Sequence, residues 1–498
     1  MTSDNSIVDL VVVGGGVNGT GIAMDAAGRG LSVILCEMND LASATSSNSS
    51  KLIHGGLRYL EHYEFKLVRQ ALAERESLLK NAPHIMWPMR FRLPHQSHLR
   101  PAWMIRTGLF LYDHLAKRET LKGSRSIRFR RDGPLVNEIT RGFEYSDGWV
   151  DDARLVVLTA KAAEEKGAAI KTRTKCVKAD RNDKLWNVVL EDQQTGERTS
   201  FQCRALVNAS GPWVSKLFKD TMTIPAPKQI RMVKGSHIVV PKIHNEPEAY
   251  ILQNADNRII FVIPYEDDFS LIGTTDVDYE GDPRKAMISA EETDYLCSIV
   301  NHHFKHKITP EDVVWSYSGV RPLMDDEGSA QKASRDYTFE VDGGGKTRNA
   351  PLISVFGGKI TTYRKLAEAA TDKICSFFPS AGPEWTKHAP LPGGDFTDWN
   401  ALVAEFGKEF RWLPEKLAKR YARTYGTRAY EILRDHCSVE SLGQLFGGNL
   451  YAAEVEYLRE HEWAISAEDI VWRRTKQGLR MKDEQVNALQ AYLDESPR

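Results

Sequence analysis

Long apolar runs are the first thing missing. None of the 498 residues belongs to a stretch approaching the ~18 needed to cross a bilayer, so any membrane contact is expected at the surface. A charge excess is missing too: 66 Lys and Arg face 67 Asp and Glu, which argues against general nucleic-acid binding. Cysteine is sparse. The six (Cys36, Cys176, Cys203, Cys297, Cys375, Cys437) include no C-x-x-C pair, so a disulfide framework and a zinc site are both disfavoured and free thiols in a reducing compartment are expected. There is no G-x-S-x-G and no cluster with metal-ligand spacing, so hydrolase and metal chemistry have little support and no metal is expected. Low-complexity segments and internal repeats are absent. The polar MTSDNS before the first strand leaves no space for a leader, and an intracellular chain is expected. The length suggests about three domains.

What is present begins at once. Ile7 to Glu37 reads as an apolar strand, a glycine turn, a small-residue helix and a second strand ending in a carboxylate. Gly14, Gly16 and Gly19 give G-x-G-x-x-G directly after the strand, the context that pattern requires. Gly14 permits the turn, Gly16 lets backbone approach a pyrophosphate, and Gly19 lets helix and strand pack closely. The helix N-terminus offers unpaired N–H groups and the positive end of its dipole to phosphate. Glu37 follows Gly14 by 23 residues, where a ribose-binding acid belongs. An adenine dinucleotide site is expected; the bland alternative is a glycine turn in an ordinary βαβ unit.

Residues 41–50 hold six Ser and Thr plus Asn48, a poor helix interior and a good hydrogen-bonding loop. With Thr45, Ser46, Ser49, Ser50, Lys51 and His54 it suits a cofactor cradle, and a helix is expected from Leu57 to Lys80. Residues 86–131 interleave Trp87, Phe91, Trp103 and Phe110 with Arg90, Arg92, Arg100 and Arg106, and Arg90 to Arg131 carries eleven Lys and Arg against two acids. That mixture suits a membrane surface with anionic lipids. It equally suits core-packed helix with a solvated basic flank, and the residues alone leave both open.

From Trp149 a helix and strand return, then a hairpin over 184–203 with its turn at Gln194–Gly196, then ALVNASGPWV with Gly211 at another turn. Residues 226–345 are strand-rich, as in an antiparallel sheet. His237 lies near the start of one strand, Arg321 at the end of another, and Arg335 follows in ASRDYTFE. A second glycine turn, Gly357-Gly358, leads from a strand into a helix near Ile360, with Lys359 and Thr361 beside it. Beyond Thr397 the chain reads as helical. Two strand-to-helix glycine turns suit a flavin dinucleotide: one helix end neutralises pyrophosphate, the other the negative charge of a reduced isoalloxazine.

The runs GGGVNGTGIAMDAAGRG, SSNSSKLIHGGLRYLEHYEFKLV, VNASGPWV, GVRPL and SVFGGKITTYRKLAE together resemble the FAD-dependent glycerol-3-phosphate dehydrogenases, above all the aerobic, respiratory bacterial type. EHEWAISAEDIVWRRTKQG, Glu460 to Gly478, carries the resemblance into the last helices. It implies FAD held by Gly14, Gly16, Asn18, Gly19, Glu37, the 45–54 cradle, Val177, Gly211, Gly358, Lys359, Ile360 and Thr361. The implied reaction is oxidation of sn-glycerol 3-phosphate to dihydroxyacetone phosphate, with electrons passing to a membrane quinone. His237 is a suitable base for the hydroxyl proton, and Arg321 and Arg58 are the other catalytic candidates. Arg58, Tyr59, His237, Arg321, Arg335 and Lys359 are the substrate candidates, because a phosphate dianion favours forked guanidinium donors. How the arginines divide between phosphate and alkoxide stays open. Also implied are a cytoplasmic location with peripheral attachment to the inner face of the cytoplasmic membrane, and a homodimer. A glycerol-3-phosphate oxidase delivering electrons to oxygen is the nearest rival, an amine-oxidising flavoenzyme the next. A flavin-binding protein without turnover is a third, disfavoured by the full set of cations.

The expected class is α/β (α+β overall), with a Rossmann-like FAD-binding domain of segments 1–85, 148–225 and 346–390. An inserted antiparallel-sheet substrate domain covers 86–147 and 226–345, with 86–131 as the membrane-surface candidate. A C-terminal all-α domain covers 391–498.

Overall fold

The structure, a computed structural model, describes residues 2–97, 99–182, 184–254, 256, 258–324, 336–344 and 349–495. Its first sheet is built on five parallel strands in the order Leu352–Gly357, Arg198–Asn208, Thr2–Val13, Val33–Cys36 and Ala169–Lys171. Such strands are buried on both faces and read as continuous apolar runs. In the opening strand Leu10 and Val12 join one core and Val11 and Val13 the other, the two-residue alternation of a strand. The first core is capped by helices Val17–Gly28, Asp152–Glu165 and Tyr363–Cys375. The second is closed by an antiparallel meander, Thr174–Asn182, Leu185–Asp192 and Arg198–Asn208, with buried Trp186 and Phe201.

A second, ten-stranded sheet centres on Ile230–Pro241, flanked by Trp315–Met324 and Phe269–Gly273. It is antiparallel except where Ala249–Gln253 runs parallel to Met86–Pro94. Helix Ala290–His303 starts on a capping box in which Ser289 and Glu292 satisfy each other's backbone N–H groups. A third core gathers around helices Trp399–Glu409, Glu415–Tyr425, Ala452–His461 and Asp483–Glu495, with one small ribbon, Leu445–Gly447 against Leu450–Tyr451.

Four details differ from the expectations. Strand Tyr337–Asp342, placed with the second sheet on sequence, pairs antiparallel with Leu352–Gly357, the next strand in the chain, at the edge of the first. Leu52–Ile53, placed with the first, pairs with Arg141–Val150 in the second. The helix expected from Leu57 begins at Phe65, after a short helical turn over Leu57–His62 that ends at Tyr63 in the left-handed region. In 86–131, Met86–Pro94 is an inner strand and only Ala102–His114 is helix. No helix among the described residues is long and apolar enough to cross a membrane.

Candidate functional site

A cavity of about 910 Å³ opens between the two sheets. One end is built by the first glycine turn. Gly14 has φ +115°, and a Cβ there would stand 2.8 Å from the carbonyl carbon of Ala209, so both conformation and space demand glycine. A Cβ on Gly19 would overlap the Gly14 carbonyl. Gly16 faces the cavity, and its virtual Cβ meets only the Ser46 hydroxyl at 3.1 Å. The helix that starts at Val17 has no acid in its first turn, and its first N–H donates to Ser46 Oγ at 3.0 Å. Glu37 turns its carboxylate back on the loop: Oε2 accepts from Gly15 N and Oε1 from Asn39 N, both at 2.8 Å. Burial raises its pKa despite those bonds.

Asn18 joins the two glycine turns. Its Nδ2 donates to Gly357 O at 3.2 Å, while its buried Oδ1 has no partner. Gly358, Lys359, Ile360 and Thr361 line the cavity beside it, and Thr361 Oγ1 accepts from His54 N at 3.2 Å. Helix proper starts at Tyr363, three residues later than expected, after a tight turn over Ile360–Thr362.

The hydroxyl-rich loop forms one wall, with Thr45, Ser46, Ser49, Ser50 and His54 on the cavity. Thr45 Oγ1 donates to Val320 O at 2.6 Å, tying the loop to the second sheet. Val177 and Gly211 line the far end. Gly19 and Lys51 do not line it. Gly19 is used in helix packing, and Lys51 is buried, with Nζ 2.6 Å from Asp152 Oδ1 and 3.0 Å from Ser47 O. Asp152 Oδ2 in turn accepts from Ser49 Oγ at 2.7 Å, so the pair braces the loop from behind.

Opposite stand His237 and Arg321, on adjacent antiparallel strands. His237 is 2% exposed and packed between Gly273 across the strand pair and Tyr317, whose ring stacks on it at 4.8 Å and 19°. Its Nε2 is 2.9 Å from Ser50 Oγ. Burial, then Arg321 and Lys51, press its pKa well below 6.5, so the imidazole is neutral at pH 7. Arg321 pairs with Asp276 and donates to Thr274 Oγ1 at 3.2 Å. A Cβ on Gly235 would lie 3.1 Å from Arg321 Cζ, so that glycine makes the guanidinium's room. Tyr59 and Lys359 line the cavity as a stacked pair, the ammonium 3.8 Å from the ring centre. The Arg58 side chain and all of Arg335 lie outside the described residues.

Four of the six substrate candidates thus share one cavity with fifteen of the seventeen cofactor candidates. Sequence reasoning missed Asp276, Asp152, Tyr317, Gly235 and Gly273. Only Asp276 left a trace, an acid at the end of the GTTD run three residues past Gly273.

The glycine cradle, the acid-free helix start and the orphaned Asn18 Oδ1 fit a dinucleotide. The profile of the FAD dependent oxidoreductase family matches residues 9–364, and that of the C-terminal domain of alpha-glycerophosphate oxidase matches 384–495. The aerobic glycerol-3-phosphate dehydrogenase of Escherichia coli (strain K12) is 56% identical over 490 residues, covering 98% of this chain and 97% of that one. The chain belongs to the FAD-dependent glycerol-3-phosphate dehydrogenase family. FAD is its cofactor, and the chain is a flavin oxidoreductase. The D-erythritol 1-phosphate dehydrogenase of Brucella abortus (strain 2308) is 49% identical over 98% of this chain and 97% of its own length. The glycerol-3-phosphate dehydrogenase from Bacillus halodurans complexed with FAD superposes with a TM-score of 0.73 at 26% identity, covering 98% of this chain and 94% of that one.

Proposed function

We propose that this chain oxidises sn-glycerol 3-phosphate to dihydroxyacetone phosphate and passes the electrons to a membrane quinone. The observation that carries the reading is the convergence of neutral, buried His237 with Arg321, Tyr59 and Lys359 on the cavity bounded by both glycine turns. When bound, FAD supplies the acceptor for the hydride leaving the secondary carbon. The protein supplies the rest. A neutral imidazole is the form that takes the hydroxyl proton, and Ser50 Oγ, 2.9 Å from His237 Nε2, holds the ring in place. Arg321, aimed by Asp276 and Thr274, stabilises the alkoxide as the proton leaves. Lys359, with Arg58 and Arg335, offers the charge that a phosphate dianion requires. The two glycine turns hold the pyrophosphate and the flavin end, and the 45–54 loop covers the middle.

Anaerobic addition of glycerol 3-phosphate should bleach the flavin band, and a quinone should restore it faster than oxygen. An unbleached band refutes the reading. The profile named for an oxidase over 384–495 favours a second reading with oxygen as acceptor, which rapid reoxidation with stoichiometric hydrogen peroxide would establish. The Brucella relative supports trying D-erythritol 1-phosphate beside glycerol 3-phosphate, with a higher kcat/KM expected for the latter.

A quinone acceptor requires contact with lipid. Trp103, 68% exposed on helix Ala102–His114, and Tyr63, 81% exposed, form an apolar rim at the cavity, and Phe110, 53% exposed, extends it along the same helix. We place this rim on the inner face of the cytoplasmic membrane. The basic flank contributes less than its composition promised: Arg90 pairs with Glu144, and Arg92 with Glu144, Glu246 and Glu248. Trp103→Ser with Phe110→Ser should release the protein from anionic vesicles and spare activity with a soluble dye; unchanged vesicle binding would refute the placement. Sedimentation should find the homodimer that the family resemblance implies.

A further inference from the structure

The run Glu460 to Gly478 carries the family resemblance, yet none of it lines the cavity. Two of its arginines go instead to the loop after Glu37. Asp40, fully buried, accepts at Oδ2 from Arg473 Nε and Arg474 Nη1, both at 2.6 Å, and at Oδ1 from Arg474 Nη2 at 2.8 Å. Asp469 takes Arg173 Nη2 on both oxygens at 2.7 Å and also pairs with Arg473. Burial alone would raise the Asp469 carboxyl, but Arg473, Arg474 and Arg173 hold it far below the usual range.

These bonds converge on one wall of the dinucleotide groove. Arg173 N donates to Asn39 O at 2.9 Å, and Thr174 N to Glu37 O at 2.7 Å. From inside, Ala42 N donates to Gly15 O at 3.1 Å, and Gly15 N to Glu37 Oε2. The loop is therefore gripped on its inner side by the glycine turn and on its outer side by the C-terminal run. Met38, Asn39, Ala42 and Ser43 lie on the cavity between those grips, facing Thr174 to Val177. A buried ion pair adds little to net stability compared with apolar packing of the same volume. What forked guanidinium pairs add is direction, and here the direction is set on the loop that carries the ribose-binding acid.

We infer that Arg473 and Arg474 are positioning residues for the cofactor: through Asp40 they fasten loop 37–44, and so set the affinity for the adenosine half of FAD. The inference rests on the FAD placement proposed above. It gives the C-terminal region a part in cofactor retention although the run Glu460 to Gly478 does not line the cavity.

The test is FAD titration of the full-length apoprotein by flavin fluorescence, with thermal melting of the same samples. Asp40→Asn and Arg474→Met should each raise the FAD Kd on the order of tenfold or more, the scale on which supporting contacts around a bound group act. Saturating FAD should restore kcat at unchanged KM for substrate, and Arg474→Lys should fall between. Arg420→Met breaks another buried pair, Arg420 with Glu454, inside the C-terminal core. It should lower the melting temperature and leave the FAD Kd within twofold. If Asp40→Asn and Arg474→Met bind FAD as the wild type does, or Arg420→Met weakens it equally, the clasp is merely structural. Arg473→Gln keeps the Arg474 fork and replaces either variant that fails to fold. A wild-type apoprotein that takes up FAD normally but is not reduced by substrate would overturn the proposed reaction while leaving this test intact.

Discussion

Replacing Gly273 by alanine perturbs His237 through one contact. The two residues face each other across antiparallel strands, and an alanine Cβ at 273 would overlap His237 Cδ2 and lie 2.7 Å from Cγ and 2.9 Å from Nε2. Ordinary contact begins near 3.4 Å, so the ring must retreat by at least 0.7 Å. It has nowhere easy to go, because Tyr317, 7% exposed, stacks on its other face. Gly273 has no left-handed φ, so alanine brings no backbone strain of that kind. The ring then moves off Ser50 Oγ and out of the position that the proposed proton transfer requires. Misplacement on the order of 1 Å costs about 10²-fold in rate, or about 2.7 kcal/mol of barrier. Overpacking costs a further ~1–3 kcal/mol of folding stability.

The assay is kcat/KM for glycerol 3-phosphate with a soluble dye acceptor, beside the flavin absorbance ratio. Gly273 does not line the cavity, so FAD content should be unchanged. A kcat/KM within threefold of wild type would show that His237 is not the positioned base. Loss of FAD would show that strand Phe269–Gly273 shapes the cofactor site instead.

Asp276→Asn keeps the shape but removes the charge that aims Arg321; kcat/KM should fall on the order of tenfold, from the loss of a charge-assisted bond, and an unchanged value would detach Arg321 from the reaction. Gly19→Ala drives a Cβ into the Gly14 carbonyl and should abolish FAD retention in any protein that folds, which absorbance at the flavin band reads directly. Two buried histidines predict acid lability: burial, with Arg154 and Arg423 nearby, pushes His84 down to about 3, and burial pushes His244 down to about 4. Between those values and 6.5 the unfolded chain binds the extra protons, so stability is full above pH 6.5 and falls as the pH drops, by up to ~1.4 kcal/mol per pH unit for each. His84→Phe should flatten that slope in melts between pH 6.5 and 4.5, and an unchanged slope would refute the assignment. By the same sign, His237 stays unprotonated well below pH 6.5, so the acid limb of kcat/KM should fall below that value.

The first glycine turn was readable because its signal is local: G-x-G-x-x-G, the preceding strand and the acid 23 residues on all lie within one βαβ unit, and the second, Gly357-Gly358, likewise follows its strand directly. The hydroxyl loop was readable for a related reason, since a Ser-rich stretch must satisfy its donors somewhere. Partnerships set by strand register were not. Gly273 matters only because it falls opposite His237, and Gly235 only because Arg321 folds over it; no local pattern marks either. Arg473 and Arg474 stand 433 and 434 residues from the Asp40 they hold, and no local pattern links them to it. Segment 86–131 shows the same limit from the other side. Eleven cations against two acids suited a lipid-facing surface as well as a solvated basic flank, because the counted acids were those nearby in sequence. Glu144 comes from strand Arg141–Val150 and Glu246 and Glu248 from the connection before strand Ala249–Gln253, and they take up Arg90 and Arg92. Apolar exposure is not offset in that way. Trp103 and Phe110 stay uncovered whatever the sheet brings alongside, and they are the part of that segment on which membrane attachment is best tested.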